Sequence, residues 1–246
     1  MEQNSLIDFK IPMNIALLGY GKMGKAIEKI AIERGHTITA RVRNAEGFTL
    51  ENADVAIDFS IPSVAVSHLK QCFEAQVPVV SGTTGWLDQY DEVVALCKEK
   101  DSAFLYASNF SVGVNLFFEF NKKLAAIMAP HKEYNAVMTE IHHTQKLDAP
   151  SGTAITLAEG VIENTSYSKW ELEEGQLHSS DTIPITAERE GTVPGTHIIT
   201  YKSEIDTITL GHEAHSRQGF ALGALVAAEW INGKKGIFSM QDVLSL

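Results

Sequence analysis

The run Asn14-Ile15-Ala16-Leu17-Leu18-Gly19-Tyr20-Gly21-Lys22-Met23-Gly24 carries most of the information about architecture. An apolar stretch, Asn14–Leu18, stops at a glycine. A helical pattern follows over Lys22–Arg34 and ends at Gly35. The junction fits G-x-G-x-x-G, placed where a strand gives way to a helix. Glycine is required there for a tight turn, for close approach of backbone to a pyrophosphate, and for close helix–strand packing. The helix start adds unpaired N–H groups and a positive dipole end. A bare match could be a chance glycine cluster; in a strand–turn–helix setting it points to a dinucleotide, held by Gly19, Tyr20, Gly21, Lys22, Met23 and Gly24.

The pattern repeats outward from this point. Strands are expected at His36–Val42, Val55–Phe59, Val77–Val80 and Ala103–Tyr106, with helices at Ser63–Ala75 and Leu87–Lys100. Short apolar strands alternating with helices predict a parallel sheet covered on both faces. Two strand ends carry small polar loops suited to ligand contact: Gly82, Thr83 and Thr84 after the fourth strand, and Ala107, Ser108, Asn109 and Phe110 after the fifth.

The character then changes. A long helix is expected over Val112–Met128, a strand over Ala136–Ile141 and a helix over Thr153–Ile162. Residues 163–195 read as polar and broken by Gly and Pro. Two strands, His197–Ser203 and Thr207–His212, follow, and then a small-residue helix over Gly219–Asn232 that returns to the first domain. The expected fold class is α/β: a Rossmann-type dinucleotide-binding domain (1–111 and 217–246) plus an inserted α+β domain (112–216). Residues 1–12 lack a basic start and a long apolar run, and read as a loose or strand-like leader rather than a secretory signal.

Composition removes several classes. The chain has 246 residues, 44% hydrophobic and 21% charged, a globular balance with enough apolar material for a sizeable core. A net charge of −11 argues against a nucleic-acid surface. No apolar stretch is long enough to span a membrane. Cys72 and Cys97 lie in apolar-periodic stretches and read as buried thiols, which suits a reducing cytoplasm.

Chemistry concentrates in Glu140-Ile141-His142-His143-Thr144-Gln145-Lys146-Leu147-Asp148-Ala149-Pro150-Ser151-Gly152-Thr153-Ala154. Ser151 is placed to cap the helix that follows. The N–H groups of Gly152 and Thr153, with Lys146 nearby, would receive a carboxylate. His142 and Lys146 are candidates for proton transfer, because imidazole titrates near neutrality and an amine is tuned by its surroundings. Asp148 reads as a loop-bracing acceptor. Adjacent strand residues point to opposite faces, and no third ligand stands beside the histidine pair, so no metal is expected.

This run resembles the signature E-x-H-H-x-x-K-x-D-A-P-S-G-T-A of the dihydrodipicolinate reductase family. The resemblance extends over nearly the whole chain, through Gly82–Gly85, Asn109–Asn115, Val193–Thr196 and the ending from His215. It implies reduction of 4-hydroxy-tetrahydrodipicolinate in lysine and diaminopimelate biosynthesis by a cytoplasmic homotetramer, with the inserted domain (112–216) binding substrate and its sheet making the tetramer (oligomerisation) contacts. It further implies proton transfer by His142 and Lys146, and substrate binding by His143, Gly152, Thr153 and Arg217. The glycine loop is one residue shorter than in long-loop members, and residues 163–180 are compact.

Cofactor choice is read from the end of the second strand. An acid there would hold the ribose hydroxyls of NADH; the nearest is Glu46, past Asn44. Arg41 and Arg43 instead suit a 2′-phosphate. The expectation is NADPH preferred over NADH without strict exclusion, with Arg41 the nearer contact. Two rival readings are a dehydrogenase of another amino acid or semialdehyde on the same fold, and a dinucleotide-sensing module without chemistry. The first would not need the His-His-x-x-Lys run with Ser-Gly-Thr, and the second should have lost His142 or Lys146.

Overall fold

The computed structural model describes residues 11–43, 47–216 and 218–246. The expectations for the leader, for Asn44 and Glu46, and for Arg217 therefore fall, wholly or mostly, outside the described residues. The chain divides into two compact units, Met1–Val112 with Gln218–Leu246, and Gly113–Arg217.

The first unit is a parallel sheet in the order β11-β5-β4-β3-β1-β2. Its strands are β1 (Asn14–Leu18), β2 (Thr37–Val42), β3 (Val55–Asp58), β4 (Val79–Ser81), β5 (Ala103–Tyr106) and β11 (Gly236–Phe238). The helices are α1 (Lys22–Glu33), α2 (Pro62–Glu74), α3 (Tyr90–Glu99), α6 (Gln218–Ile231) and α7 (Met240–Leu244). Strands β1 and β3 are buried almost throughout, as a sheet covered on both faces demands. One face packs Ile15, Leu17 and Ile57 against Ile27 of α1 and Leu225 of α6. The other packs Ala16, Leu18 and Phe104 against Leu69 and Phe73 of α2 and Cys97 of α3. Each such large side chain contributes about 1.5–3 kcal/mol. The returning helix α6 is tied to α1 by its buried Glu229, which accepts Arg34 at 2.8 and 2.9 Å and lies 2.9 Å from His36 Nε2. Both cysteines are buried free thiols, and burial pushes Cys97 up to about 11.

The second unit is a mixed sheet in the order β10-β9-β6-β8-β7. It comprises β6 (Asn135–His142), β7 (Lys169–Leu172), β8 (Thr182–Arg189), β9 (Gly195–Lys202) and β10 (Thr207–Ala214), with α4 (Val112–Met128) and α5 (Gly152–Ile162). Strand β6 alternates, burying Ala136, Met138, Glu140 and His142. Its register sets Met138 beside Ile185 of β8 and Ile199 of β9, in a core completed by Phe117 and Ala125 of α4 and Leu157 of α5.

Residues 163–195 are more ordered than their composition suggests, since β7 and β8 lie within them. Strand β7 (Lys-Trp-Glu-Leu) is too short and polar to show a period. Strand β8 carries Pro184, whose missing N–H argues against a strand that is paired on both sides. The closing β11 and α7 were likewise not expected.

Candidate active site

In the first unit the ligand-binding edge is built at the carboxyl ends of parallel strands. Gly19 follows β1 with φ +93°, and a Cβ there would fall 2.1 Å from the Phe59 carbonyl oxygen. Its amide and that of Tyr20 both donate to Val42 O at 2.8 Å, fastening the turn to β2. A Cβ on Gly24 would lie 2.8 Å from Gly19 O, whereas one on Gly21 would meet nothing within 4 Å. Two of the glycines are therefore fixed by packing, and the middle one faces open space. Gly21 opens α1 without a side-chain cap.

A cavity of about 420 Å³ adjoins this turn, lined by Gly19, Tyr20 and Gly21, by Lys22, Lys25 and Arg43, and by Phe59, Ser60 and Ile61. None of these lining residues is acidic, so an anion meets only favourable charge. A dinucleotide pyrophosphate fits the open glycine, the uncapped helix start and the cations together.

Other expected contacts are placed as follows. Met23 packs against the core. Thr83 is buried, and its hydroxyl donates to Asp58 at 2.7 Å while accepting the Ser60 amide at 2.9 Å. Gly82 lies against the Phe59 ring, and that ring packs on Phe110 with centroids 5.6 Å apart. Phe110 is buried, Ala107 and Asn109 are half-buried, and Thr84 and Ser108 are exposed. Phe59, which sequence reasoning left as the end of a strand, thus joins three of the expected loops. Arg41 does not line the cavity. Its Nε donates to Glu28 Oε1 at 2.7 Å, its Nη2 pairs with the same oxygen, and the Tyr20 hydroxyl takes the other. Arg43 lines the cavity instead.

In the second unit, the helix-facing side of the sheet turns from apolar to ionisable at one end. Glu140 pairs with His197 of β9, and His142 with Arg189 of β8. Ser151 caps α5, accepting the Ala154 amide at 3.2 Å. Its own amide donates to Glu140 Oε2 at 3.0 Å. Gly152 is exposed at the start of that helix, and a Cβ on it would touch nothing within 4 Å; Thr153 is half-buried. Lys146 Nζ donates to Asp148 at 2.7 Å, which makes Asp148 a partner of the lysine and holds its carboxyl below the usual range. His143 is half-buried.

Burial holds the His142 imidazole below its ordinary value. Glu140 opposes this, while Lys146 and Arg189 add to it. Burial, with His142 alongside, pushes His197 down to about 4.

His197 lies far downstream in sequence, which is why no third ligand was evident beside the histidine pair. Donor atoms of Glu140, His142 and His197 lie within 4.8 Å of one another, so that part of the sequence argument is corrected. The Glu140 oxygens already accept the Arg189 guanidinium (3.2 Å) and the Ser151 amide (3.0 Å), so the carboxylate is committed to protein donors. Arg189 and His197 carried no motif that would have announced them.

A glycine turn at the carboxyl ends of a parallel sheet, in a chain with a second, mixed-sheet unit, is the layout of a pyridine-nucleotide-dependent oxidoreductase. Residues 13–110 match the family described as dihydrodipicolinate reductase, N-terminus, and residues 113–244 match dihydrodipicolinate reductase, C-terminus. The chain belongs to the dihydrodipicolinate reductase family. It is 55% identical over 237 residues to the 4-hydroxy-tetrahydrodipicolinate reductase of Christiangramia forsetii, covering 95% of this chain and 98% of that one. It is 31% identical to the protein of the same name from Neisseria gonorrhoeae, covering 96% and 98%. Among solved structures it resembles dipicolinate-bound dihydrodipicolinate reductase from Paenisporosarcina sp. TG-14, with TM-score 0.76, 24% identity and coverage of 94% and 99%. Among the described residues no helix is long and apolar enough to cross a membrane.

Proposed function

We propose that this chain reduces 4-hydroxy-tetrahydrodipicolinate to tetrahydrodipicolinate with loss of water, using NAD(P)H, in lysine and diaminopimelate biosynthesis. The observation that carries this reading is that Glu140 and Arg189 tie His142, the Lys146 backbone and the Ser151 cap of α5 together in one unit. The C4 hydroxyl leaves with a proton from the adjacent ring carbon as water, which conjugates a C4 double bond with the ring imine. A reduced nicotinamide, when bound, would supply the hydride that C4 then receives. The negative charge spreads over the neighbouring carbon and the ring nitrogen, and Lys146 or His142 supplies the proton that neutralises it. His143, Lys146 and the first-turn N–H groups of Gly152 and Thr153 hold the two substrate carboxylates. Arg217 is a further substrate contact in this proposal.

The carboxylate receptor is testable without touching a side chain that does chemistry. Gly152→Val adds bulk where the substrate would approach and nothing now stands. It is expected to raise the substrate KM at least about tenfold, a loss of roughly 1.4 kcal/mol, with the cofactor KM little changed. Pyridine-2,6-dicarboxylate, a planar mimic, should compete with substrate in the wild type and weaken in this variant. Failure to inhibit at millimolar levels would count heavily against the receptor.

NADPH is proposed as the preferred cofactor, with NADH accepted. Lys22, Lys25 and Arg43 around the cavity support this. Arg41 could contribute only by exchanging its pair with Glu28. Arg43→Ala is therefore expected to lower kcat/KM for NADPH about tenfold while leaving that for NADH near wild type. An unmoved ratio in Arg43→Ala, with a shifted one in Arg41→Ala, would return the role to Arg41.

A cytoplasmic homotetramer completes the proposal. The two buried free thiols, Cys72 and Cys97, support a reducing compartment. For assembly the support is the sheet face opposite the second unit's core, where Val137, Ile141 and Ile198 remain at least partly exposed.

A further inference from the structure

Glu140 is fully buried, and four groups from separate segments converge on its carboxylate. Arg189 Nη2 donates to Oε1 at 3.2 Å, and the Ser151 amide donates to Oε2 at 3.0 Å. His142 Nδ1 lies 3.5 Å from Oε2 and His197 Nε2 lies 3.7 Å from it. Arg189 extends the network by donating to Lys146 O at 3.4 Å and Asp148 O at 2.6 Å. One buried charge therefore touches His142 and the residue that caps α5, and reaches the loop carrying Lys146 through Arg189.

The grouping of Ser151, His197 and Glu140 is not a nucleophile relay. The hydroxyl and the carboxylate approach the same ring nitrogen, and the Ser151 oxygen is spent on capping the Ala154 amide. At His142 the arrangement is directional. Nδ1 faces Glu140, while Nε2 lies against Gly195, where a Cβ would come within 3.1 Å. Nδ1 is buried and makes no hydrogen bond, so the carboxylate acts on the ring through its charge, which favours the protonated form.

We propose that Glu140 is a positioning residue acting on both halves of the centre at once. It sets the charge beside His142, and through the Ser151 amide it fixes the first turn of α5 that receives a substrate carboxylate. This rests on the function proposed for His142 and Gly152. It assigns work to the leading glutamate of the run that neither proton transfer nor carboxylate binding requires of it.

The groups facing His142 are Glu140 on its own strand, Arg189 from β8, His197 from β9, and Lys146 and Asp148 from the following loop. Of these, Glu140 favours the protonated ring and Arg189 opposes it. In Glu140→Gln the His142-dependent limb of the pH–rate profile should therefore move to lower pH. Its kcat should fall by about 10-fold or more, within the roughly 10²–10⁴-fold weight of the general acid it supports. Glutamine can still accept the Ser151 amide, so the substrate KM should stay near wild type, whereas Glu140→Ala should raise it as well. Thermal midpoint and nucleotide affinity report whether each variant folds. If Glu140→Gln does not, Arg189→Gln should move the same limb to higher pH. A limb that stays in place in the folded variant, or moves the wrong way, overturns the proposal. Turnover that survives His142→Ala would instead remove the underlying reading of His142, a separate result.

Discussion

Alanine at His142 or at Lys146 lowers kcat by about 10²–10⁴-fold, the usual weight of a positioned acid, and leaves nucleotide affinity close to wild type. Both residues belong to the unit formed by Gly113–Arg217, whereas the glycine turn and its cavity belong to the other. Removing the His142 ring leaves a gap beside a buried carboxylate and takes away the group whose protonation depends on it. Removing Lys146 deletes a cation paired with Asp148, and with it one of the groups proposed to hold a substrate carboxylate. The sign of the pH dependence follows from burial. Because His142 is held below the ordinary histidine value, its imidazolium is lost as pH rises through that lowered value. The limb it governs therefore lies on the acid side of 6.5 and should vanish in His142→Ala. Steady-state kinetics across pH, with nucleotide titration as control, measures all of this. Near wild-type turnover in both variants would remove the assignment. The double variant should cost little more than the worse single one, since groups acting on one proton are not additive.

The second large effect falls on the glycine turn, where two neighbouring substitutions should behave oppositely. Gly19→Ala places a methyl 2.1 Å from Phe59 O and 2.4 Å from Ser60 N, at a φ of +93°. The overpacking costs on the order of 1–3 kcal/mol, and the backbone conformation adds to it. Each kcal/mol lowers Tm by roughly 2–4 °C in a chain of this size, and nucleotide binding is lost with the turn. Gly21→Ala meets nothing within 4 Å. Its Tm should stay at wild type while nucleotide affinity falls at least about tenfold, because only a bound pyrophosphate would feel that methyl. Differential scanning fluorimetry with and without NADPH separates the two. Unchanged affinity in Gly21→Ala would mean that the pyrophosphate lies elsewhere.

Local patterns reported the first unit well, because its physics is local. A strand buried on both faces reads as a continuous apolar run, a glycine turn has its own spacing, and a helix stops at glycine. The second unit was legible where its period was apolar, as in α4, β6 and α5. It was obscure in β7, which is short and polar, and in β8, where Pro184 interrupts the signal. The site shows the same divide. His142, Lys146 and Ser151 lie close together in the chain, so one run revealed them. Arg189 and His197 reach Glu140 only through strand pairing, and pairing partners are not written in local composition. Arg41 and Arg43 alternate on one strand end and look equivalent in sequence. Glu28, one helix earlier, distinguishes them by binding the first.

The most direct test of the central claim is nicotinamide absorbance during turnover of 4-hydroxy-tetrahydrodipicolinate made in place by its synthase. The account predicts NADPH oxidation that requires both this chain and the synthase product, and that is nearly abolished in His142→Ala. No oxidation above the synthase-only background, or oxidation that persists when the product is omitted, would contradict it.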